Sequence, residues 1–134
     1  NQFLSFYMNN GSVSKSHVIF EIDKKTIINC ELKRHLSPSL VGNIIRSLPI
    51  NGNIHMLGTS GVYLETNIES GGERPKKEFK KGDIAFLSAN HALCFFYKDT
   101  KTGKELTKIG IITDDTKKIE ELESGENVSI YCEG

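Results

Sequence analysis

The sequence has no excess of charge of either sign: 17 lysines and arginines are matched by 17 aspartates and glutamates. A balanced chain has no electrostatic footprint for nucleic acid or for an anionic membrane surface. No stretch approaches the roughly 18 apolar residues of a membrane-spanning helix. Cysteine is scarce and has no pairing pattern. Cys30, Cys94 and Cys132 are an odd set without CxxC spacing, each inside an apolar or strand-like run. They read as reduced, mostly buried thiols of a cytoplasmic protein. Cys94, between Leu93 and Phe95, lacks the electropositive, partly exposed setting of a nucleophile.

Signatures of chemistry are missing as well. His17, His35, His55 and His91 never fall at metal-ligand spacing, and no HExxH occurs, so neither a metal nor a cofactor is expected. There is no GxSxG and no Ser-His-Asp pattern. The glycines of "ESGG" do not lead from a strand into a helix with a following Lys-Ser or Lys-Thr, so they make no phosphate loop. The first residues lack the basic start, apolar core and small-residue cleavage site of a secretory signal. Residues 1–16 read as an N-terminal tail and residues 17–134 as one domain without repeat or linker.

With 37% hydrophobic and 25% charged residues, the chain suits a folded core rather than disorder. Residues 17–22, "HVIFEI", and 26–32, "TIINCEL", read as a hairpin across the turn "DKK". Ser37 is a candidate N-cap, Pro38 suits the first helical position, and Leu40, Val41, Ile44, Ile45 and Leu48 make one apolar face before Pro49. Gly42 inside that helix costs about 1 kcal/mol against alanine and implies close packing. Further strands are expected at 54–57, 62–68, 83–87, 92–97, 106–113 and 127–132. A second short helix, "DTKKIEELE", carries Ile119 and Leu122 and stops at Gly125. Between Glu69 and Asp83 lies a long polar loop, whose charged run Arg74–Lys81 reads as solvated. Short strands at regular spacing suggest a sandwich or barrel, which the two helices would cap.

The order of the motifs resembles the cyclophilin family. The stretch 94–132, "CFFYKDTKTGKELTKIGIITDDTKKIEELESGENVSIYC", is similar to that family's strand, loop, strand, short helix and final strand. The segments "KKGDIAFL", "ALCFF" and "KIGII" resemble a smaller set of archaeal and bacterial cyclophilin-like proteins without an assigned activity. The resemblance covers residues 17–134. It implies a mainly β fold, a closed eight-stranded cyclophilin-like β-barrel with two short helices. The functional residues of true cyclophilins mostly do not carry over. Their catalytic arginine, next to a histidine, aligns near Met56 beside His55. Their glutamine falls near Leu64 or Glu65. Their tryptophan and histidine fall in 100–105, which has neither. Prolyl isomerisation has a barrier of about 18–20 kcal/mol, and a preorganised donor facing it is worth several kcal/mol. Only Arg46 or Arg74 could stand in for the missing one.

The expectation is therefore a non-catalytic binding domain that holds a peptide segment or small molecule in the cleft corresponding to the cyclophilin groove. Its candidate lining residues are His55, Tyr63, Glu65, His91 and Phe95. Tyr63 and Glu65 share a strand face, as do Phe95 and Tyr97, with Phe96 on the other. The alternatives are a divergent prolyl isomerase or other small-molecule enzyme in the same cleft, and an assembly domain acting through a sheet edge or the loop 69–82.

Overall fold

A computed structural model describes residues 15–133. The expected tail therefore lies outside the described residues except for Lys15 and Ser16, which begin the first strand. Strands β1 (Lys15–Ile22) and β2 (Thr26–Lys33) form the anticipated hairpin. Its turn is closed by the Lys25 N–H donating to the Ile22 carbonyl at 2.9 Å. Asp23 and Lys24 both take positive φ, 50° and 61°, the backbone that matches the right-handed twist of the strands. A 3-10 turn, Arg34–Leu36, leads into helix α1 (Pro38–Ser47). Leu40, Val41 and Ile44 of α1 are buried against the inward faces of the strands. Ser37 occupies the N-cap position, yet its side chain makes no capping bond; its Oγ accepts instead from the Glu73 N–H at 3.2 Å.

Then follow β3 (Ile50–Asn53), β4 (His55–Leu57), β5 (Gly61–Glu65), β6 (Lys76–Phe79), β7 (Asp83–Leu87), β8 (Ala92–Phe96), β9 (Thr100–Ile112), the short helix α2 (Lys117–Glu120) and β10 (Asn127–Cys132). The ladders run β3-β10-β1-β2-β9-β7-β8-β5-β4, with β6 branching from β9. The fold is thus mainly β with two helices, but the described residues form ten strands rather than eight. No ladder joins β3 to β4 among the described residues, so the hydrogen-bonded sheet is not a closed barrel. The two ends still meet, because Ile54 alone separates β3 from β4.

Two strands escaped the sequence. "INGN" looks like a turn, yet it pairs with β10 from Ile50–Ile130 to Asn53–Asn127. Gly52 suits the close approach there, since a Cβ would stand 2.7 Å from Leu64 Cδ1 and force that side chain to shift. "KKEF" looks like polar loop because only Phe79 of β6 is buried; its strand state comes from pairing with β9, a tertiary cause.

Alternation then sorts the side chains into two apolar cores. The inner one gathers Phe20, Ile28, Ile84, Phe86, Leu93, Phe95 and Ile109 with the α1 face and with Ile119 and Leu122 at α2. It leaves a residual void of only about 10 Å³. The outer one contains Phe79, Ala85, Ala92, Cys94, Phe96 and Leu106, covered by β6 and the first half of β9. β8 is buried along its whole length because it feeds both.

Candidate functional site

The outer core is incompletely covered. Beside it lies a groove of about 290 Å³, floored by Leu57, Leu87, Phe96 and Leu106 and rimmed by Ser60, Lys101 and Lys104. Its outer wall is made by β9. Between the pairs Glu78–Lys101 and Lys76–Leu106 the two strands fall out of register, so residues 102–105 bulge away from β6. The Thr102 hydroxyl bonds the carbonyls of Lys77 and Lys104 at 3.2 and 2.6 Å and fixes that bulge. On the floor, Phe96 stacks on Phe79 with centroids 5.0 Å apart and planes 5° from parallel.

The expected site residues divide around this groove. Pairing places Leu57 opposite Gly61 and His55 opposite Tyr63. It also sets Gly61, Tyr63 and Glu65 opposite Phe96, Cys94 and Ala92. Residues two apart share a face and stand about 7 Å from one another. His55, Tyr63 and Glu65 therefore continue the outer face along β4 and β5 from the groove. The rings of His55 and Tyr63 stack at 5.1 Å, and His55 Nε2 lies 3.8 Å from Glu65 Oε1. Tyr63 packs on the same apolar cluster that floors the groove. Both members of the His55–Glu65 pair are well exposed, so the contact is a weak surface one.

Two expected residues lie elsewhere. Phe95 faces the inner core, 3% exposed, with its ring edge-on to Phe20 at 4.7 Å and 73°. It does not reach the groove; Phe96 does, being the next residue on a strand whose side chains alternate. His91 occupies the left-handed region at φ 53° in the turn before β8. Its Nδ1 meets the Ile68 carbonyl at 2.9 Å, while its own carbonyl accepts from the Thr66 N–H and hydroxyl at 2.8 and 2.7 Å. His91 pins the segment after β5 and does not line the groove. Glu65 also borders a separate polar depression of about 450 Å³ with Pro49, Asn51 and Thr66. Another hollow, of about 490 Å³, is lined chiefly by polar residues including Glu21, Asn51, Asn127 and Ser129. Neither offers the apolar floor that gives a small ligand most of its binding energy.

Burial pushes the thiols of Cys30 and Cys94 up to about 12, so both are inert at neutral pH. Cys132, expected to be buried with the others, is exposed at the end of β10. No cluster of three or more metal-binding side chains occurs among the described residues. Met56, near which the resemblance to cyclophilins puts their arginine, is exposed. Arg46 donates to Asn43 Oδ1 on α1, and Arg74 donates to the His35 carbonyl at 3.4 Å; neither lines the groove. Leu57, Leu87, Phe96 and Leu106 were not anticipated as lining residues. The signal available for Phe96 was its opposite phase to Phe95.

A family model described as cyclophilin-like matches residues 15–131, and the chain belongs to that family. Two solved structures share the fold. The solution structure of the hypothetical protein AF2241 from Archaeoglobus fulgidus is 19% identical, with a TM-score of 0.73 over 88% of this chain and 95% of the other. McbB, solved in complex with tryptophan, is 12% identical, also with a TM-score of 0.73, over 87% of this chain and 45% of McbB. No curated protein matches the sequence.

Proposed function

We propose that this member of the cyclophilin-like family is a non-catalytic binding module that seats an apolar or aromatic group of a small molecule or peptide segment. The observation that carries this is the apolar-floored groove at Leu57, Phe96 and Leu106 on the outer face. At about 290 Å³ it is at the small end of ligand sites, which span roughly 300–1,000 Å³. That is room for one aromatic side chain and too little for a large cofactor. Lys101 and Lys104 on the rim suit a ligand carrying a carboxylate near its ring, while Tyr63 and His55 extend the contact along β5 and β4. Tryptophan, named with McbB, is the first ligand to try. The isomerase alternative has little chemical support, since no arginine lines the groove. Reduced thiols and the lack of any helix long and apolar enough to cross a membrane among the described residues fit a cytoplasmic setting.

The test is an amide-shift titration of the labelled protein with tryptophan and, separately, with a proline-containing peptide, recording cis–trans exchange of the peptide in the same tubes. Saturable shifts confined to Leu57–Gly61, Phe96 and Thr100–Leu106, abolished by Leu57→Glu, are expected, without accelerated exchange. Saturation at other amides only would overturn the groove. Accelerated exchange at catalytic protein concentration would overturn the non-catalytic reading.

A further inference from the structure

The chain has only three arginines, Arg34, Arg46 and Arg74, against fourteen lysines, and all three gather where the 3-10 turn meets α1. Gly42 on α1 is the meeting point. A Cβ there would lie 3.3 Å from Arg46 Nη1 and 3.8 Å from Arg34 Nη1, so two guanidinium groups flank one bare backbone position. The segment after β5 is tied over the same place. Ser70 Oγ accepts from Asn43 Nδ2 at 3.3 Å, and the Glu73 N–H donates to Ser37 Oγ at 3.2 Å. Arg74 reaches the His35 carbonyl, next to Arg34.

Every ion pair between described residues uses a lysine or histidine, and none uses an arginine. Arg34 Nε is buried without a hydrogen-bond partner among the described residues, where buried polar groups are almost always satisfied. The first fourteen residues contain no aspartate or glutamate that could supply a carboxylate. Two like charges held over one glycine repel each other, and an oxyanion placed between them turns that repulsion into paired attraction. Guanidinium forks also match the geometry of phosphate and carboxylate oxygens.

We propose that Arg34 and Arg46, with Gly42 between them and Arg74 at the edge, form a binding site for a doubly charged oxyanion, a phosphate monoester or a dicarboxylate. The site is separate from the outer groove and does not depend on it. Asn43 orients the Arg46 guanidinium through its Oδ1, and buried Gly42 lets both guanidinium groups lie close to the α1 backbone.

The experiment follows the arginine Nε–Hε resonances of the full chain while inorganic phosphate, succinate or acetate is added at constant ionic strength set with chloride. Saturable shifts at Arg34 and Arg46 with phosphate or succinate are expected, and acetate should bind at least roughly tenfold more weakly. Whether phosphate or succinate saturates first identifies which dianion the site prefers. Arg46→Gln, on an exposed helix position, should weaken binding by roughly tenfold. Gly42→Ala should do so while keeping α1 folded, because alanine is the better helix former. Linear shifts without saturation for both dianions would overturn the proposal. So would saturable binding that Arg46→Gln and Arg34→Gln both leave unchanged.

Discussion

The two faces of β8 are packed by the same kind of residue and finished differently. On the inner side Phe95 meets Phe20 edge-on in a core whose void is about 10 Å³. On the outer side Phe96 stacks flat on Phe79 and borders a groove of about 290 Å³. The inner face is closed by a whole sheet plus α1. The outer face is closed only by β6 and the bulged start of β9, which stop short of the β4–β5 turn. A core that is fully enclosed becomes stability; one that is enclosed on most sides leaves apolar surface able to hold another molecule.

The strongest way to break that comparison is to truncate one residue from each side. Phe95→Ala should cost about 3–5 kcal/mol, because the enclosed site has little room to collapse. Leu57→Ala, at the half-buried groove floor, should cost about 1 kcal/mol or less, while weakening groove binding. Urea denaturation of the two variants measures both. Equal losses would mean that the outer face is as tightly enclosed as the inner.

A smaller effect sharpens the difference. Phe79→Ala removes the main apolar anchor of β6 and should loosen the strap formed by β6 and the start of β9 more than the rest of the sheet, by about 2 kcal/mol of local opening free energy. Amide exchange at 76–79 and 100–106 should accelerate while β1 and β2 stay protected. The thiols report the same event. Cys30 belongs to the inner core and Cys94 to the outer one, and both are pushed to about 12. In the native protein Cys132 alone should react promptly with a thiol reagent. In Phe79→Ala, Cys94 should become reactive before Cys30; simultaneous reaction of the two would show that the strap and the rest of the sheet open as one unit.

The sequence made the strand periods legible but not which side of β8 faces inward. Phe95 and Tyr97 were placed on one face and Phe96 on the other, which is how they stand. With both faces buried, however, "ALCFF" has no polar phase to mark the outside, and Phe95 was assigned to a cleft that Phe96 borders. β2 and α1 were readable because each has one apolar face and one wetter one. β3 and β6 were not, since their strand state rests on partners distant in sequence. The His55–Tyr63 stack follows from cross-strand pairing between β4 and β5. The groove itself arises from a register shift, which no local pattern encodes.

A third stretch of outer face, over β1 and β2, is finished by polar groups, and acid should separate it from the apolar strap. Ile19 is buried there opposite Asn29. The Asn29 N–H and Nδ2 donate to Asp114 Oδ2 at 2.6 and 2.8 Å. Asn29 Oδ1 accepts from His17 Nε2 at 2.9 Å, and His17 Nδ1 lies 2.8 Å from Glu133. The backbone N–H of Asn29 is the main cause that holds the Asp114 carboxyl below its ordinary range, helped by the Asn29 side chain and opposed by burial. A carboxyl whose pKa is lowered by folding stabilises the protein above its unfolded-state pKa, and that contribution is lost as pH falls through the folded-state value. Asp114→Ala should lower Tm by roughly 5 °C at neutral pH, and the gap to wild type should close on acidification below the usual carboxylate range. A gap that persists unchanged in acid would show that the Asp114 side chain acts there by packing, like the strap, rather than by charge.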